Sequence, residues 1–180
     1  MSSTTELIKT LQAKLGGDLY DRHAPYNQLD SGGTGLTLLF SRDKLSLRVS
    51  FVDDDEHLAA TVFATAVPHN LIVSHENPVT RALDTFGMSP EVKIGVEEFD
   101  SAYLIREASA EDARNTLDDF VRSAITSIEP LDRFRMDSHG YTLVTPVPRG
   151  PGAEGRALSV IQALIAIANH ITERRRRSSP

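Results

Sequence analysis

Between Leu36 and Phe51 the apolar residues recur at every second position, and this alternation constrains the fold more than any other feature of the chain. Leu36, Leu38 and Phe40 form one set; Leu45, Leu47, Val49 and Phe51 form another, with Ser46, Arg48 and Ser50 between them. Successive side chains of a strand point to opposite faces, so a period of two means a strand with one face buried. The connecting SRDK at 41–44 makes the two runs a hairpin. A second turn, DDDEH at 53–57, leads into LAATVFATAVP, which is apolar on both faces and therefore belongs in the middle of a sheet. A shorter strand over 71–74 follows the turn at 68–70.

Elsewhere the period lengthens to that of helices. Ser3 and Glu6 form a capping box, and Leu7, Ile8, Leu11 and Leu15 make an apolar stripe that Gly16 and Gly17 stop, so 3–15 is an amphipathic helix. Residues 18–35, with APYN and DSGGTG, read as a loop, and Pro78 opens a short helix within 78–90. VKIGV at 92–96 reads as a strand that continues to Phe99. Ser109 caps one helix carrying Ala113, Leu117, Phe120, Val121, Ala124, Ile125 and Ile128. A hairpin turning at 138–140 and a last helix over 153–173 complete the chain. Two strand, strand, helix units thus follow in tandem, 92–128 and 131–173. The expected fold is α+β: an antiparallel sheet of about 6–8 strands with helices mainly on one face. Residues 1–173 are expected to form a single domain and 174–180 a disordered basic tail.

Composition limits the function classes. There are no cysteines among the 180 residues, which removes disulfides, thiolate metal sites and thiol nucleophiles. The start MSSTTELIKTLQ has no basic segment followed by an apolar one, and the longest apolar run, ALIAIA, is far short of a membrane span, so a cytoplasmic protein is expected. Net charge is −6; setting aside the arginines 174–177 leaves 15 basic against 25 acidic residues, or −10. Such an acidic body makes nucleic acid an improbable partner, because affinity for a duplex comes mostly from neutralising its phosphates.

The motifs with catalytic spacing are missing. DSGGTG lacks the Lys of a phosphate loop and enters a strand instead of leaving one. DDDEH lacks the central Gly and distal Glu of a calcium loop. His69 and His75, six residues apart on a strand, stand nearly 20 Å apart and cannot share a metal. No HExxH, HxH or GxSxG occurs. No catalytic, cofactor or metal residue is therefore assigned. The densest carboxylates, Glu97, Glu98 and Asp100 in GVEEFDSAYL, alternate across the expected strand and do not converge as an acid/base pair must; Asp100 is expected to shape a turn between the anchors Phe99 and Tyr103.

The last helix carries the most informative surface. Leu158, Ile161, Leu164, Ile165 and Ile171, with Ala157, Val160, Ile167 and Ala168 between them, cover more than one stripe, so the helix must be covered on two sides. The sheet supplies one cover. The N-terminal helix, a second subunit or an apolar ligand would supply the other. Arg174, Arg175, Arg176 and Arg177 form a basic arm able to touch an anionic surface weakly.

Gly95, Val96, Phe99, Asp100, Tyr103 and Leu104 make the pattern Gly-hydrophobic-x-x-Phe-Asp-x-x-Tyr/Phe-hydrophobic. In this pattern, and in the layout over 34–172, the chain resembles a group of bacterial cytosolic proteins. The resemblance implies a fold module and brings no catalytic residues with it. The leading expectation is a non-catalytic cytoplasmic binding protein: an adaptor, assembly subunit or chaperone-like module working with another protein or as a homodimer. The alternatives are a carrier holding an apolar small molecule between the sheet and the last helix, and an enzyme whose carboxylates and histidines meet only in the fold.

Overall fold

The structure, a computed structural model, describes residues 4–21, 36–52, 56–64, 67–75 and 91–178. The expected short helix in 78–90, the loop over 22–35 and the start of the DDDEH turn lie outside them. Among the described residues the alternating run does build the centre of a sheet. β1 (Asp18–Asp21), β2 (Leu36–Arg42), β3 (Leu45–Val52) and β4 (His57–Phe63) form a meander, and β5 (Leu71–His75), β6 (Tyr103–Arg106), β7 (Arg133–Asp137) and β8 (Gly140–Pro146) complete eight antiparallel strands in the order β1-β2-β3-β4-β8-β7-β5-β6. The strand apolar on both faces, β4, is fourth of the eight, as its composition requires. It pairs with β8, from Phe63↔Gly140 to His57↔Pro146, and that ladder joins the β1–β4 meander to the other four strands.

The register assigns the faces. Leu38, Val49, Ala60 and Leu143 are cross-strand neighbours on one face and are all buried; Arg48, Thr61 and Thr142 share the other. The buried face is covered by α1 (Thr4–Leu15), through Leu7, Ile8 and Leu11, and by α5 (Ala153–Ser178), with α1 and α5 also touching each other. Gly140 is required where β8 starts. A Cβ there would lie 2.0 Å from the Val62 carbonyl oxygen, so any side chain would push the two central strands apart.

Four expectations change. Residues 18–21 are not loop: they pair with β2, placing Leu19 opposite Leu38. Residues 97–99 do not extend a strand. Glu97–Ala102 is a helix, α2, and Val92 makes one isolated bridge to Ile105, so the first expected strand, strand, helix unit contains one strand, β6, while β7, β8 and α5 form the second as expected. The helix after Ser109 is two, α3 (Ala110–Thr116) and α4 (Asp119–Thr126). Asp118 takes an extended conformation (φ −68°, ψ 177°), and its side chain accepts from the Val121 N–H, which caps a new helix instead of continuing the old one. Finally, α5 runs on to Ser178, so Arg174–Arg177 are helical where a disordered tail was expected.

Candidate functional site

The carboxylate-rich stretch is built for structure. Gly95 has φ +86°, a conformation glycine adopts without cost, and the turn it makes brings three backbone N–H groups onto one side chain. The Asp100 carboxylate accepts from Ile94 (3.1 Å), Gly95 (2.8 Å) and Val96 (3.2 Å). Phe99 in α2 and Tyr103, the extended residue that ends the helix and starts β6, are buried and meet with ring centroids 4.6 Å apart. The Tyr103 hydroxyl donates to Glu129, and burial first, then that bond and charge, push the phenol well above its usual range. Glu97 and Glu98 are exposed and do not converge with Asp100.

The histidines are equally dispersed. His69 bonds Thr116 at 2.9 Å, and His75 meets the edge of the Tyr103 ring. A recess of about 660 Å³ beside α2 includes Glu98 but neither histidine. Asp137, Ser138 and His139 cluster on the β7–β8 turn, yet Asp137 and Ser138 both approach the same ring nitrogen, Nδ1, at 3.4 Å. A proton relay needs them on opposite nitrogens. Among the described residues no group of three metal-ligating side chains occurs.

The last helix is covered within the chain. Ile161, Leu164, Ile165 and Ile171 belong to the core and Leu158 is packed against its edge, so these five residues do not form the open interaction surface expected of them. Among the described residues these side chains pack against the sheet, in the space where the carrier alternative placed an apolar ligand. Burial of one such side chain is worth roughly 1.5–3 kcal/mol, and the chain's own sheet and α1 supply it.

What stays open is the end of that helix. A cleft of about 920 Å³ lies where three sheet segments converge beside its last turns. The register makes the convergence: Ser46 pairs with Phe63, and Phe63 with Gly140, so the β2–β3 turn, the end of β4 and the β7–β8 turn share one sheet end. Lys44, Leu45 and Ser46 come from the first, Phe63 and Ala64 from the second, Ser138 and His139 from the third; Thr172, Arg175 and Arg176 come from α5. Phe63 is 37% exposed, a large apolar ring left at the cleft, with the Arg48 guanidinium 5.8 Å from its centroid. Burial raises the pKa of the Tyr141 phenol, against the lowering effects of Thr172 and Arg175.

The charges here are unbalanced. Arginines at a helix C-terminus are ordinary, because they oppose its negative dipole, but that reason does not extend to Lys44, which arrives on a hairpin. Asp43 and Lys44 hold φ +51° and +67°, the left-handed pair that a two-residue turn demands and that Asn-Gly or Asp-Gly would satisfy more easily. A lysine occupies the glycine position. Among the described residues neither Lys44 nor Arg176 has an ion-pair partner. Of the other arginines, Arg174 bonds Asp118 and the Asn115 carbonyl at 2.7 Å each, and Arg177 lies 3.9 Å from Glu173.

The chain matches no protein-family model and no curated protein. Among solved structures it is similar in outline to the mycobacterial trehalose monomycolate transport factor A, TtfA. The TM-score is 0.48 at 7% identity, over 73% of this chain and 70% of that one. A likeness of this size carries nothing about role. Among the described residues no helix is long and apolar enough to cross a membrane.

Of the cleft residues, sequence reasoning singled out only Arg175 and Arg176. Lys44 and Phe63 had signals that went unused: a lysine in a tight turn, and a phenylalanine ending β4 on the face opposite the core.

Proposed function

We propose that the protein is a non-catalytic binding protein that takes an anionic small molecule with an apolar body into the cleft at the end of α5. The observation that carries the reading is the convergence of Lys44, Arg175 and Arg176 with Phe63 and Leu45 in one cleft on a chain of net charge −6. Its size is that of a ligand site, since such sites span roughly 300–1,000 Å³. The division of labour is simple: the cations neutralise the anion and steer it in, while Phe63 and Leu45 remove apolar surface from water. This keeps the carrier role but moves the ligand from between sheet and helix to the helix end.

The test uses 1-anilinonaphthalene-8-sulfonate, an aromatic sulfonate whose fluorescence reports binding. Expected is saturable binding of one equivalent that weakens as salt rises, and that falls about tenfold, or ~1.4 kcal/mol, in the Arg175→Glu/Arg176→Glu double variant. Binding that the double variant leaves unchanged would remove the reading.

A further inference from the structure

Arg175 and Arg176 can serve the cleft only if the last turns of α5 are held in place, and the side chain that holds them lies on the opposite side of the helix. His170 and Arg174, one turn apart, present a face about 200° round the axis from Thr172, at 100° per residue. Both reach Asp118 at the α3–α4 junction. His170 Nε2 donates to Oδ2 at 2.7 Å, Arg174 Nη1 donates to the same oxygen at 2.7 Å, and Oδ1 accepts from the Val121 N–H at 3.0 Å. Arg174 also donates to the Asn115 carbonyl, and Phe120 stacks on the His170 ring at 4.5 Å. The arginines of α3 and α4 are engaged elsewhere: Arg122 is bonded to Asp119 and to the Leu117 carbonyl, and Arg114 to the Ile94 carbonyl.

After Ile171, α5 contributes no further residue to the core cluster. Four adjacent arginines repel one another there, and the exposed Glu173–Arg177 pair is worth little. We infer that Asp118 is the positioning residue of the cleft: by holding His170 and Arg174 it keeps the end of α5 helical and sets Arg175 and Arg176 over the cleft. The inference rests on the anion-binding reading above.

Asp118→Asn isolates the role, because Asn is itself a good helix N-cap and α4 keeps its start while the charge on Arg174 loses its partner. Hydrogen exchange of the backbone amides at 172–178 is expected to quicken about tenfold in the variant, with the sheet amides unchanged. If the ordered helix end is then populated only about a fifth of the time, affinity for 1-anilinonaphthalene-8-sulfonate falls roughly fivefold. Arg174→Gln should do the same, and the double variant should lose no more than either alone. Wild-type binding that survives intact in Asp118→Asn overturns the inference and leaves the cleft standing. Failure of the wild type itself to bind removes the cleft reading and the inference together.

Discussion

The two ends of the sheet both gather charged side chains, and they differ in what those charges meet. At the end where β5 stops and β6 begins, Asp100 is turned to three backbone N–H groups and the Tyr103 hydroxyl to Glu129. At the other end, Lys44 and Arg176 point into a cleft and meet no carboxylate among the described residues. The first arrangement consumes its hydrogen-bonding capacity in holding a turn and a short helix; the second keeps its capacity for something else. The densest carboxylates of the sequence therefore lie at the end where Asp100 is engaged in structure, while the proposed cleft lies at the end where Lys44 and Arg176 have no ion-pair partner among the described residues.

If the first end is structural, damage there should cost stability and leave binding alone. Phe99→Ala is expected to have the largest effect, roughly 3–5 kcal/mol, as for other buried phenylalanines. A urea titration measures it. A loss below about 1 kcal/mol would mean that Phe99 does not anchor α2 to the sheet. Asp100→Ala comes next, at about 2 kcal/mol, because it strands three N–H groups of which only part can turn to water. Both variants should bind 1-anilinonaphthalene-8-sulfonate as the wild type does; weakened binding in a still-folded Asp100→Ala protein would blur the contrast between the two ends.

How much of each end was legible follows from how local its causes are. Hairpins, caps and amphipathic stripes are local, and the strands around Leu38, Val49, Phe134 and Leu143 and the helix over 4–15 could be read from spacing alone. The helix α2 was missed because six residues make less than two turns, too few to show a period. The break at Asp118 was missed because the apolar stripe from Ala113 to Ile128 runs through it, and only the capping geometry reveals the second start. The cleft was illegible for a different reason. Its residues lie in four segments between Lys44 and Arg176, and they meet through the β4–β8 ladder, an antiparallel pairing across more than seventy residues that no local pattern announces.

Asp118 links stability to binding, and acid should uncouple them in a defined direction. Burial works to raise its carboxyl, but the His170 bond, the Val121 N–H and the charges of His170 and Arg174 outweigh it and hold the group below its ordinary 3.8. The unfolded chain therefore takes up this proton at a higher pH than the folded one. Its contribution is complete above the ordinary value and is lost as pH falls through the lower, folded one. At neutral pH, Asp118→Asn should cost about 1 kcal/mol, the partners being partly exposed. Urea midpoints of wild type and variant should converge as pH falls below the ordinary 3.8. A gap that widens with acid would reverse the sign and place the protonated form, not the carboxylate, in the native bond.

The smallest effect on stability is the sharpest test of the contrast. Lys44 occupies a left-handed position that costs a side-chain-bearing residue roughly 1 kcal/mol and costs glycine nothing sterically. Glycine's greater freedom in the unfolded chain returns part of that difference. Lys44→Gly should therefore leave the protein as stable as before or stabilise it by up to about 0.5 kcal/mol, while lowering affinity for the aromatic sulfonate severalfold and flattening its salt dependence. A surface lysine kept only for solubility would show neither change in binding. A lysine whose aliphatic stem supports the turn would give the opposite sign in stability. Only a residue held in an unfavourable backbone conformation for the sake of its charge should give a more stable protein that binds less well, and thermal unfolding beside a fluorescence titration distinguishes the three.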